Sequence, residues 1–161
     1  MFRLPSGAIT RSTDTSPAFF SRIEKGEKIW DNIDLHYMCA MLGILDKRKG
    51  EPSLVENKDM VDYFAGRLAD KKELVIGTLI ANAIKKTASG YRDEVLTRQT
   101  LKEIVNDDNP SKLSGEAMTE MNLYAARGLS VLREKLGDPP DTMEEFLIGY
   151  LAIADELTKS F

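Results

Sequence analysis

The run from Ser114 to Gly137 constrains this chain more than any other stretch. Met118, Met121, Ala125, Leu129, Leu132 and Leu136 advance by three or four residues at each step, which places them on one face of an α-helix. Ser114 supplies an N-cap, and Gly137-Asp-Pro-Pro-Asp141 ends the helix sharply. Thr142-Met-Glu-Glu145 has capping-box spacing. It predicts a last helix with Met143, Phe146, Leu147, Tyr150, Leu151, Ala154 and Leu157 turned to the core. Two long helices joined by a short turn predict an antiparallel hairpin at the end of the chain.

Upstream, residues 6–16 are small and polar and read as part of a flexible N-terminal arm over 1–16. Ser16-Pro17 predicts the start of a short helix through Phe19, Phe20 and Ile23, ending near Gly26. A helix is expected over 31–46. Asp31 and Asp34 suit its positive end, Lys47, Arg48 and Lys49 suit its negative end, and Gly50 and Pro52 stop it. Ser53-Leu-Val-Glu56 is a second capping-box pattern, predicting a helix that carries Met60, Val61, Phe64 and Leu68. Residues 73–88 are apolar around much of a helical circumference, through Leu74, Val75, Ile76, Leu79, Ile80, Ala83 and Ile84. Such a helix is expected to sit centrally. Residues 92–105 predict another helix, and Asn106-Asp-Asp-Asn-Pro-Ser111 a turn. No segment shows convincing strand alternation. The expected fold is all-α: a single compact helical domain of about six or seven helices over 17–161.

A chain of 161 residues can bury a real core. Its net charge of −4 argues against broad, nonspecific attraction to nucleic acid or anionic membrane, while leaving room for a local basic patch. One cysteine allows no internal disulfide. The beginning of the chain shows no apolar run of signal-peptide length. The longest apolar stretches, 37–45 and 74–84, fall far short of the roughly 20 residues that span a bilayer. A cytoplasmic, reduced protein without membrane association is the expectation.

The only Trp, His and Cys, at Trp30, His36 and Cys39, gather on one segment. His36 and Cys39 are three apart and share a helix face, but zinc needs further ligands and only carboxylates such as Asp31 and Asp34 are near. A buried Cys and a partly exposed His on a packed helix are expected instead. Gly-x-x-x-x-Gly-Lys-Ser/Thr, Gly-x-Gly-x-x-Gly and Gly-x-Ser-x-Gly runs are all absent. The expectation is therefore a non-enzyme with no catalytic, cofactor-binding or metal-ligating residue. Basic residues are the candidates for contact with nucleic acid or a partner: Lys47, Arg48 and Lys49, then Lys71 and Lys72, then Lys85 and Lys86. Gathered by the fold, these helix ends would make a patch for phosphates; apart, they simply complement helix dipoles. No aromatics interleave with them to stack bases. Exposed Met or Phe faces would instead indicate a partner protein or a homodimer.

Two stretches carry a family resemblance. Asp34-Leu-His-Tyr-Met-Cys-Ala-Met-Leu-Gly43, followed by Lys47-Arg-Lys-Gly50, has an Ala-x-x-Leu-Gly pattern and a basic run. Tyr124-Ala-Ala-Arg-Gly-Leu-Ser-Val-Leu-Arg-Glu-Lys-Leu136 has a Tyr-Ala-x-x-Gly-Leu-x-x-Leu pattern. Both resemble small proteins associated with bacterial DNA phosphorothioation (Dnd) gene clusters, in which Asn-Gly often stands where this chain has Ala126-Arg127. The matched parts cover about a quarter of the chain, and 53–111 shows no clear match. The resemblance implies a small accessory subunit of a DNA-modification or anti-phage island. It would act beside a larger ATPase or nuclease, with contact to duplex DNA left open.

Overall fold

The computed structural model describes residues 1–9, 18–24, 30–86 and 92–159. In chain order these form β1 (Arg3–Pro5), α1 (Ser21–Glu24), α2 (Asn32–Leu45), β2 (Val55–Asp59), α3 (Lys72–Lys85), α4 (Glu94–Ile104), α5 (Gly115–Leu136) and α6 (Met143–Lys159). Short 3-10 turns occupy Pro52–Leu54 and Gly66–Lys71. The protein is mostly helical but not all-α. Among the described residues five helices reach eleven residues or more, α1 is a single turn, and β1 and β2 form a two-stranded sheet.

The centre of the molecule is the crossing of α2 and α5. A Cβ added at Gly43 would lie 2.0 Å from the Tyr124 carbonyl oxygen, and one added at Gly128 would lie 1.7 Å from that of Cys39. Each helix therefore offers a glycine to the other's backbone, one turn along from its own residue whose carbonyl faces the opposite glycine. Leu35, Cys39, Ala40 and Leu42 from α2 and Met121, Tyr124, Ala125, Leu129 and Leu132 from α5 are buried around this crossing. The α5 boundaries match the expected range, with Ser114 Oγ accepting the Ala117 N–H at 3.1 Å and Gly137 closing the helix at φ +68°. Its closest helical neighbour is α2 rather than α6, the expected hairpin partner. Lys135 Nζ reaches Glu156 of α6 at 2.5 Å, and Gly149 of α6 lies against the Leu136 side chain.

The N-terminal segment departs from the expected flexible arm. Phe2, Leu4 and Ala8 are buried. β1 pairs antiparallel with β2, placing Arg3 opposite Asp59 and Pro5 opposite Val55 with an irregularity between. Met60 N–H to Phe2 C=O and Phe2 N–H to Val61 C=O, both 2.9 Å, extend the pairing. Residues 10–16 of that arm, and the expected helix start at Ser16-Pro17, lie outside the described residues. The helix expected after Ser53 does not form. Pro52 opens one 3-10 turn, and the chain then runs extended, because Phe2 and Leu4 need a partner strand to satisfy their backbone while their side chains enter the core. Phe64 and Leu68 are still buried, Phe64 on an irregular stretch and Leu68 in the 3-10 turn Gly66–Lys71.

α3 corrects another expectation. Val75, Leu79 and Ile84 are buried, but Leu74 is 63% exposed, and the helix packs on α4 at the periphery. Trp30, Phe20 and Phe146 meet edge to face at 5.3–6.0 Å, tying α6 to the segment around α1.

Candidate interaction surfaces

The segment holding the rare residues is structural. His36 is buried, not partly exposed as expected, and its Nε2 lies 3.0 Å from Asn122 Oδ1. That amide oxygen also accepts the Arg3 N–H at 2.9 Å, and Asn122 Nδ2 donates to the Met1 carbonyl at 3.1 Å. An amide oxygen has only lone pairs to offer, so His36 Nε2 carries a proton and donates it. Phe2 packs against the imidazole at 5.2 Å and against Phe64 at 5.1 Å. Burial pushes the His36 pKa down to about 4, against the opposing hydrogen bond to Asn122. Burial likewise pushes the Cys39 thiol up to about 12, so it remains a neutral, inert group at ordinary pH. Among the described residues no group of three His, Cys, Asp or Glu side chains converges to hold a metal ion, and no helix is long and apolar enough to cross a membrane.

The basic clusters separate into two places. α2 ends at Leu45, and Lys47 takes a left-handed φ of +60° that turns the chain away before Arg48 and Lys49. Gly50 N–H then bonds the Leu123 carbonyl of α5 at 2.9 Å. This lays the basic run beside Tyr124, with Lys49 Nζ 5.8 Å and Lys86 Nζ 5.0 Å from the centre of its ring. Lys86 also donates to the Tyr124 hydroxyl at 2.5 Å, while the Asn82 amide meets that oxygen at 2.9 Å. The ends of α2 and α3 that carry Lys47–Lys49 and Lys85–Lys86 thus converge on one buried tyrosine. Lys71 and Lys72 sit at the opposite end of α3, about 20 Å away along its axis. Within the gathered region, carboxylates engage Lys49 and Arg48: Lys49 meets Glu120 at 2.6 Å, and Arg48 grips Asp46 through two bonds of 2.9 and 3.0 Å.

Asp46 is also held by Arg127 Nε at 2.6 Å, and Arg127 in turn forks onto Glu134 at 2.7 and 3.2 Å. Partial burial would raise the Asp46 carboxyl, but the bonds from Arg48 and Arg127 hold it below its ordinary value. Asp46, Asn122, Tyr124, Arg127 and Glu134 were not singled out from sequence as polar anchors. Asn122 meets His36, Arg3 and Met1 across 86, 119 and 121 positions and Asp46 meets Arg127 across 81, beyond any local pattern.

Two further surfaces stand out among the described residues. A groove of about 470 Å³ between α4 and α5 is lined by Ala83, Ile104, Val105 and Ala117 together with Glu103 and Glu120. The other is the outer side of α6. Phe146 and Ile153 are its buried residues, with Tyr150 and Leu157 half-buried beside them. Leu147, Ile148 and Leu151 are exposed by 43%, 63% and 65%. The expected assignment of Leu147 and Leu151 to the core is therefore corrected: α6 has two apolar stripes, and the core takes the other one. No protein-family model matches the chain, and comparison with curated proteins and with solved structures finds none similar to it.

Proposed function

We propose that this protein is a non-enzymatic accessory or adaptor subunit of a bacterial anti-phage defence or DNA-processing complex. It acts through protein–protein contacts with a larger ATPase or nuclease. The observation that carries this reading is the apolar stripe of Leu147, Ile148 and Leu151 on a helix whose opposite side is already packed. Covering that stripe would contribute about 3–5 kcal/mol at roughly 1.5–3 kcal/mol per fully buried aliphatic side chain. That is a useful share of a binding free energy and serves nothing in the isolated fold. The reactive groups are occupied structurally, His36 by Asn122 and Cys39 by burial, which fits a protein that works by contact. The choice of complex rests on the resemblance at 34–50 and 124–136. Affinity capture of the tagged protein from its native host tests the reading: a large ATPase or nuclease encoded nearby should co-purify in defined stoichiometry. Recovery of the protein alone at native abundance rejects it.

One observation favours a second reading, a DNA-binding accessory. The helix ends bearing Lys47, Arg48, Lys49, Lys85 and Lys86 meet around Tyr124. Binding through them would weaken steeply with salt, each phosphate contact adding about −0.9 to the slope of log K against log salt. Reversing the charge at Lys47, Arg48 and Lys49 should flatten that slope. A duplex affinity untouched by the reversal removes the patch.

A further inference from the structure

The outer face of α6 has a charge pattern that selects its occupant. Residues 136–158 contain six carboxylates, Asp138, Asp141, Glu144, Glu145, Asp155 and Glu156, and no Lys or Arg. Glu144 stands one turn before Ile148 and Asp155 one turn after Leu151, so both lie on the exposed side with the apolar stripe. Glu145 and Glu156 follow its flank, and in its far half Lys159 of α6 meets Asp155 and Lys135 of α5 meets Glu156. Residues 138–145 bring Asp138, Asp141, Glu144 and Glu145 to the start of the helix, with no Lys or Arg among them.

We propose that this face docks an amphipathic helix of a partner protein whose leucine-like stripe is flanked by Lys or Arg. The proposal rests on the adaptor reading and names the chemistry of its partner. A second copy of this chain is a poor occupant. Two α6 faces packed antiparallel about a two-fold axis at the centre of the stripe would set Glu144 and Glu145 of each copy against Asp155 and Glu156 of the other, and like charges facing each other oppose association. A basic helix satisfies both parts of the surface: its apolar stripe covers Leu147, Ile148 and Leu151, and its cations meet Glu144, Glu145 and Asp155. The charges would set orientation and encounter rate, and the apolar stripe would supply affinity.

The test uses the full chain and a labelled amphipathic peptide with leucines every three or four residues and lysines on both flanks. The same peptide with glutamates for lysines and a scrambled lysine version are the comparisons. Fluorescence anisotropy should show saturable binding of the lysine peptide, weaker by about tenfold or more for either comparison peptide. Ile148→Ser with Leu151→Ser should weaken it by a similar factor, and Glu144→Lys should reduce the preference for the lysine peptide over the glutamate peptide; Glu145, whose carboxylate accepts the Asp141 N–H at the start of the helix, is left in place. These side chains are exposed, so the variants should keep the native circular dichroism. Absence of binding, equal binding of the lysine and glutamate peptides, or affinity unchanged by the serine pair overturns the proposal. So does a dimer in sedimentation that the serine pair dissolves. Native-host capture by wild type and by the serine variant separates this proposal from the adaptor reading. A large ATPase or nuclease recovered equally by both retains the adaptor and rejects this face, whereas recovery only by wild type supports both.

Discussion

Lowering the pH should destabilise this protein through one residue, well before its carboxylates are titrated as a group. His36 is the only histidine, and its buried Nε2 donates to Asn122 Oδ1 at 3.0 Å. Protonating the ring adds a charge where burial permits little solvation, and this pushes the pKa from 6.5 in an exposed setting to about 4 in the fold. Between those values the unfolded chain binds one proton more than the native protein, so stability increases with pH. The contribution is fully present above about 6.5 and is lost as pH falls toward 4. At about 1.36 kcal/mol per pH unit per proton, the whole interval is worth about 3 kcal/mol. Asp46 titrates in a different window. Its carboxyl is held below 3.8, so its contribution is lost only at more acid pH. Urea titrations at a series of pH values from neutral to about 4.5 measure the slope. The sole Trp, Trp30, packed against Phe20 and Phe146, reports unfolding by fluorescence. His36→Gln keeps an N–H donor for Asn122 and cannot charge, so the difference between wild type and variant isolates the imidazole. Parallel pH profiles for the two proteins would refute the reasoning.

The helix crossing gives a pair of substitutions with opposite signs. Gly128→Ala places a methyl 1.7 Å from the Cys39 carbonyl oxygen and should lower stability by about 2–3 kcal/mol despite its better helix propensity. Gly77→Ala in α3 has nothing within 4 Å and should raise stability by about 0.5–1 kcal/mol. Thermal melts of both variants decide the matter, and equal shifts would contradict the proposed close approach. Phe2→Ala should cost about 3–5 kcal/mol by chemical denaturation, since the ring is buried between His36 and Phe64. A loss near zero would restore the flexible arm.

Helix α5 could be read from the chain because every local signal agrees there: a serine cap, an unbroken three-and-four spacing and a glycine exit. At Ser53 the local signals misled. The capping-box pattern was real as a sequence, but Pro52 and the demand of β1 for a partner strand prevailed. β1 has only three residues, and β2, Val-Glu-Asn-Lys-Asp, is polar after its first residue, so neither shows alternation. α3 and α6 failed for a shared reason. Each carries more apolar surface than one core can cover, and periodicity counts apolar stripes without saying which of them meets a neighbour. Leu74, Leu147 and Leu151 were therefore placed inside and lie outside. The basic clusters were visible as composition, but their meeting at Tyr124 depends on the turn at Lys47 and on α5 passing beneath it. The His36–Asn122 pair spans 86 positions and leaves no trace in local spacing.

The hold of Asn122 on Met1 and Arg3 has a consequence for the order in which the molecule can be completed. Those bonds join positions 121 and 119 apart. A ribosome adding about 5–20 residues per second must work on the order of ten seconds after the first strand emerges before Asn122 exists to receive it. During that interval Phe2 and Leu4 lack the α5 surface that helps bury them, and the β1–β2 pair alone is too short to be stable. The beginning of the chain is thus among the last parts to be locked. The waiting time on synthesis, more than any local propensity, sets how long its apolar side chains stand exposed.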